Sequence, residues 1–161
     1  MTDKVPMTPQ GYQQLQDELK QLETIDRFKI VKEIEIARAH GDLSENAEYH
    51  AAKEKQGLIE GRIRFVSDRV ARAQVIEPGG EDPERVRFGA TVVISELESG
   101  EQKTYRIVGE DEANAKNGTI SVTSPLARAL LGREVDSSIE LKAPKGTREL
   151  EIVDIQYEST E

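Results

Sequence analysis

Two apolar stripes at helical spacing, separated by a short polar stretch, constrain this chain more than any other feature. In the first, Leu15, Leu19 and Leu22 recur every three or four residues; the series slips between Thr24 and Arg27 and resumes at Ile30, Ile34 and Ala37. In the second, Tyr49, Ala52, Gln56, Ile59, Ile63, Val66 and Val70 follow alternating steps of three and four. Both have the period of a helix that packs along one seam. Each stripe alone would leave apolar surface in water. With only a few polar residues between them, the two helices are expected to fold back on each other as an antiparallel hairpin. The slip is a 3-4-4 step, a stutter that unwinds a coiled coil locally.

The ends of the first helix are marked. Thr8 reads as an N-cap with Pro9 at the first helical position, and Gly41 offers a left-handed stop. At 1.5 Å per residue the stretch from Pro9 to His40 spans roughly 48 Å. The second helix ends at residues 77–84, which combine two prolines, two glycines and four acids with no apolar residue. This places a hairpin at 1–76, a linker at 77–85 and a second domain at 86–161.

In that second domain the period changes to that of strands, expected at 91–97, 102–108, 119–122, 138–142 and 148–157. Ser99-Gly100 and Pro144-Lys145-Gly146 supply turns. One short helix interrupts them, with Ser124 as cap, Pro125 at its first position and Gly132 as its stop. The result is a small α+β module. In the last strand the apolar phase moves from Leu150 and Ile152 to Val153, Ile155 and Tyr157, which predicts a β-bulge.

Composition removes several classes of function. The 161 residues hold no cysteine, which excludes disulfides, thiolate nucleophiles and thiolate zinc frameworks, and only His40 and His50 remain as imidazoles. No apolar run approaches the ~18 residues of a membrane span, and the N-terminus lacks the pattern of a signal peptide. The chain is therefore expected to be cytoplasmic. Its formal charge of −9 argues against free-standing nucleic-acid binding, because contact with phosphates draws on lysine and arginine. Most of the acidic excess follows residue 80, so any basic patch belongs to the hairpin.

The candidate chemistry lies between the two helices, in residues 41–48, where Asp42 and Glu45 fall at the hairpin tip. Their spacing of three also fits a capping box, in which an N-cap oxygen and a carboxylate three residues on satisfy the free amides of a new helix. As metal ligands they make half a site. Magnesium wants six oxygens and often takes one or two protein carboxylates, filling the rest with water and phosphate. A site completed by another protein and a nucleic acid could orient a water for attack on a phosphodiester. Arg38, His40, Lys53 and Lys55 flank the tip as solvated charges or as phosphate contacts. His50, a lone histidine on the second helix, reads as structural or solvated.

These segments resemble the bacterial transcript elongation factors of the Gre family over nearly the whole chain. The marks are Pro6-Met7-Thr8 with Gly11, Leu15 and Leu19, GDLSENAEYHAAKE at 41–54, EGRI at 60–63, TYRIVGEDEA at 104–113 and SPLARALLG at 124–132. The tip block is the specific one; the others are individually weak but keep the family's order. The resemblance implies an N-terminal antiparallel coiled coil followed by a small FKBP-like antiparallel-sheet domain with one short helix. It implies RNA polymerase as partner, with the C-terminal domain docking at the rim of the secondary channel and the coiled coil inserting toward the active site. There the polymerase cleaves the displaced 3′ end of backtracked RNA. Position by position, Asp42 and Glu45 match the pair that helps hold a second catalytic Mg2+ shared with the polymerase. Arg38 and Lys53 match basic positions linked to the RNA 3′ end, and Ser124 and Pro125 fall in the polymerase-docking loop. Between the acids stands Ser44, where relatives often carry a basic residue.

The expectation is a monomeric accessory factor that binds no ion tightly alone and stimulates the polymerase's own nuclease. One alternative keeps the docking but only inhibits; the acidic pair at family spacing argues against it. Another is a prolyl isomerase or chaperone, disfavoured because the second half holds only Phe88, Tyr105 and Tyr157 to wall an apolar pocket. A coiled coil that dimerises along its seam is the fourth reading, weakened by Gln56 and the stutter.

Overall fold

Burial follows the two stripes. The computed structural model describes residues 3–41, 46–78 and 84–157, which divide into a hairpin unit, Tyr12–Arg72, and a sheet unit, Met1–Gly11 with Ala73–Glu161. Helix α1 (Pro9–Gln21) begins in the sheet unit and continues into the hairpin. It runs through a π-helical turn, Leu22–Asp26, into α2 (Arg27–Arg38), and α3 (Ala47–Ala71) returns. Leu15, Leu22, Ile30 and Ala37 on the outgoing arm and Ala52, Ile63 and Val66 on the returning arm are buried. Every other residue of the two stripes is at least half-buried.

The hairpin is antiparallel, as its bridging ion pairs show. Glu18, Arg27 and Glu33 pair with Arg62, Glu60 and Lys55 in that order, so position rises on one arm as it falls on the other. The π turn lies where the sequence predicts a stutter. Leu22 and Ile30 are eight residues apart, and a continuous α-helix would turn the second about 80° past the first. A wide turn closed by i→i+5 hydrogen bonds absorbs the surplus residue and returns Ile30 to the seam.

In the sheet unit, strands β1 (Val5–Met7) and β2 (Ala73–Val75) form a parallel pair in which Val5 meets Ala73 and Met7 meets Val75. Sequence patterning did not reveal this pair, because three residues are too few to show alternation. The compact units consequently divide at 11/12 and 72/73 and not at the acidic linker, part of which, 79–83, lies outside the described residues. The remaining strands are β3 (Thr91–Glu96), β4 (Gln102–Val108), β5 (Thr119–Ser121), β6 (Ser138–Ala143) and β7 (Gly146–Gln156). They form one sheet of order β5-β4-β3-β7-β6. The sheet is mixed: β4 and β5 run parallel, a departure from the antiparallel expectation. That pair is parallel because the 109–118 connection crosses back before Thr119, bringing β5 in beside β4 in the same direction.

Helix α4 (Pro125–Leu130) lays Ala127 and Leu130 on a core formed by Val86, Ala90, Val92, Ile94, Ile107, Ile139, Leu150 and Ile152. The predicted bulge is present. Val93 pairs with Asp154 and Ile94 with Ile152, so Val153 is skipped and turns outward.

A polar junction anchors the start of α1. Thr8, almost fully buried, caps the helix by accepting from the Gly11 amide at 3.0 Å. Its own amide donates to Glu112 Oε2 at 2.9 Å, its hydroxyl donates to Glu112 Oε1, and the Gly109 amide donates to Oε2 at 2.9 Å. Two glycines make room for that carboxylate. A Cβ at Gly11 would stand 2.1 Å from Glu112 Cδ and 2.3 Å from its Oε1, and one at Gly109 would stand 2.5 Å from Pro6 O and 2.8 Å from Glu112 Oε2.

Candidate functional site

The last turn of α2 and the first turn of α3 frame the segment that carries the acidic pair. Asp42 and Glu45, with Leu43 and Ser44, lie outside the described residues; their frame is described on both sides. Arg38 closes α2 as an exposed cation where a helix carries its partial negative charge. The carbonyls left over there are taken up by backbone amides: His40 N donates to Ala37 O and Gly41 N to Arg38 O, each at 3.2 Å. Gly41 then turns the chain at φ +105°, a conformation that favours glycine.

On the far side, α3 begins at Ala47 and its cap is Asn46. Asn46 Oδ1 accepts from the Tyr49 amide at 3.0 Å, so α3 takes its cap from Asn46. The same side chain also crosses the hairpin, where Nδ2 donates to Ala37 O at 2.6 Å. One half-buried side-chain amide thus satisfies an orphan amide of α3 and gives the Ala37 carbonyl, which already accepts from His40 N, a second donor.

The flanking cations are all exposed on the hairpin surface. Lys53 Nζ donates to Gln56 Oε1 at 3.2 Å within its own helix, and Lys55 faces Glu33 across the hairpin at 3.8 Å. His40 Nε2 lies 3.8 Å from Glu48 Oε2, one contact on each side of the tip. His50 is exposed and meets the Tyr49 ring edge-on at 5.6 Å. A shallow, mainly apolar groove near this end is lined by Ile36, Ala37, Ala51 and Ala52 and rimmed by Glu33, Glu48 and Lys55.

Further from the tip, two forked ion pairs stiffen the rod. Arg27 grips Glu60 through Nε at 2.9 Å and Nη2 at 2.8 Å, and Arg62 grips Glu18, with Nη2 at 2.8 Å. Hydrogen bonding to the guanidinium holds each carboxyl below its ordinary range, against an opposing push from desolvation. Sequence reasoning missed both pairs and missed Asn46. For Asn46 a signal was present, a cap-forming residue three before the first seam residue, Tyr49.

In the sheet unit, Ser124 caps α4 by accepting from the Ala127 amide at 3.2 Å, and Pro125 at the first helical position is exposed. Among the described residues no helix is long and apolar enough to cross a membrane.

Residues 5–75 match the family model described as "Transcription elongation factor, N-terminal", and residues 81–157 match "Transcription elongation factor, GreA/GreB, C-term". The chain is 52% identical over 157 residues to transcription elongation factor GreA of Syntrophotalea carbinolica, spanning 98% of this chain and 99% of that one. It is 56% identical over 154 residues to the protein of the same name from an Anaeromyxobacter species, covering 96% and 93%. Among solved structures, GreA factor homolog 1 of Thermus thermophilus is 30% identical, covers 95% of this chain and 99% of its own, and superposes with a TM-score of 0.44.

Proposed function

The chain belongs to the GreA/GreB family of transcription elongation factors, and from that premise we propose that its hairpin enters RNA polymerase and stimulates cleavage of backtracked RNA 3′ ends. What supports this reading is the position of the acidic pair in the sequence, between two helix ends that the structure describes. Asp42 and Glu45 occupy the short connection between Arg38, where α2 ends, and Asn46, where α3 is capped. The buried stripes behind them make those two helices one antiparallel arm.

Two carboxylates are hard oxygen donors suited to magnesium but too few to complete its shell. Asp42 and Glu45 would therefore hold Mg2+ jointly with the polymerase and the RNA. That ion, when bound, supplies charge stabilisation and lowers the pKa of a coordinated water. This chain contributes the oxygens, the length of the arm and its stiffness. Arg38 and Lys53, exposed on either side of the connection, suit contact with the phosphates of the RNA 3′ end. Ser124 and Pro125, exposed or half-exposed at the start of α4, are assigned to polymerase docking in the sheet unit. The factor is thus an accessory that completes another enzyme's site.

The test is the Asp42→Asn, Glu45→Gln double variant on a stalled elongation complex. It should compete for polymerase as the unaltered protein does while losing stimulated cleavage by at least roughly tenfold, since both charged oxygen donors to the shared ion are gone. Undiminished cleavage by the double variant refutes the role given to the acids. A wild-type protein that slows transcription and leaves RNA uncut would establish an inhibitor.

A further inference from the structure

Of the side chains that cap helices well, serine, threonine, aspartate and asparagine, asparagine alone also carries an N–H donor. At the hairpin tip that distinction is used. Asn46 Oδ1 faces a backbone amide, that of Tyr49 at 3.0 Å, and Nδ2 faces a backbone carbonyl, that of Ala37 at 2.6 Å. The partners fix which atom is which, because an amide must meet the oxygen and a carbonyl the nitrogen. Capping α3 requires the first bond. The second joins α3 to α2 across nine positions of sequence, and it involves the residue at which the buried stripe of α2 ends, Ala37.

We propose that Asn46 is a positioning residue for the acidic pair: the Nδ2 bond to Ala37 fixes the separation of the two helix ends that residues 38–45 must bridge. This rests on the reading of Asp42 and Glu45 as ligands of a shared ion. Asn46 contributes no ligand. It restricts where the ends of the ligand-bearing segment stand, so less ordering remains to be done when the site assembles. Its neighbours support the assignment. The His40–Glu48 pair spans the same two ends but is long and exposed on both sides, so it is worth little beside a half-buried amide bond.

The test uses Asn46→Ser and Asn46→Asp, which keep a capping oxygen; both lose the amide N–H, and the ionised aspartate carries no donor at all. Because the chain has no cysteine, spin labels can be placed uniquely at Glu35→Cys and Glu54→Cys, one on each arm. In the full-length protein the helical content should be unchanged while the inter-label distance distribution broadens. In stalled elongation complexes saturated with factor, the magnesium concentration for half-maximal cleavage should rise roughly three- to tenfold, the factor that one net hydrogen bond represents. Competition for polymerase should be unaltered. An unchanged distance distribution, or a wild-type magnesium midpoint in both variants, overturns the inference. So does a loss of cleavage amplitude at a fixed midpoint, which marks a merely structural role. Failure of the underlying reading looks different: Asp42→Asn, Glu45→Gln would then cleave as well as the unaltered protein.

Discussion

Gly11→Ala is a substitution whose effect should change sign with the identity of a residue far away in sequence. Gly11 sits in the first turn of α1, where alanine would ordinarily favour the helix by up to about 1 kcal/mol. Here the new Cβ would stand 2.1 Å from the Glu112 carboxyl carbon, well inside contact distance. That group is the far end of a flexible side chain, so it can move, but not without giving up its hydrogen bonds. Glu112 accepts from Thr8 N, Thr8 Oγ1 and Gly109 N. Breaking two of these bonds to a charged acceptor costs about 2–4 kcal/mol, allowing for partial replacement by water. The net expectation is destabilisation of the sheet unit by about 1–3 kcal/mol. In a Glu112→Ala background the obstruction is gone, and Gly11→Ala should then stabilise by up to about 1 kcal/mol. Urea unfolding of the four proteins of this cycle, followed by circular dichroism, gives the coupling directly. Additive effects, with Gly11→Ala neutral or stabilising in both backgrounds, would refute the wedged carboxylate.

The forked pairs make hairpin stability depend on acid. Glu18 and Glu60 titrate below their ordinary value of about 4.5 in the folded state, so their contribution is complete above that value and is lost as pH falls through the depressed one. The melting temperature of the hairpin should therefore drop on acidification below about pH 4.5, and less steeply in Glu18→Gln, Glu60→Gln; equal slopes would dismiss the pairs. At Ser124, alanine removes the cap and should cost about 1 kcal/mol of stability, whereas aspartate retains it. If the start of α4 docks on polymerase, Ser124→Asp should weaken competition for polymerase at unchanged stability, and wild-type competition would remove that residue from the interface.

What was legible in the sequence was what the chain writes locally. The seam residues recur within one helix, the stutter foretold the π turn, and the phase slip around Val153 foretold the bulge. What was illegible depends on partners distant in sequence. Pairing of Val5 with Ala73 and of Thr8 with Glu112, 104 positions apart, leaves no periodic trace. Pro6-Met7-Thr8 with Gly11 and the Gly109–Glu112 stretch looked like two unrelated weak marks, and the fold makes them two halves of one junction. At the tip, a spacing of three described both Asp42 with Glu45 and Asn46 with Tyr49, and only coordinates show that the cap belongs to Asn46. The chemistry of the acids was readable only through family resemblance, because two carboxylates do not say who brings the other four ligands.

The π turn has a consequence for how the arm's reach can vary. Removing one residue from 23–26 would leave Ile30 seven positions after Leu22, close to two ordinary turns, and the stripe would stay near phase on an unbroken α-helix. The outgoing arm could thus lose a single residue there and keep its stripe on the seam. The turn works as an expansion joint between two stretches whose stripes are each committed to the seam.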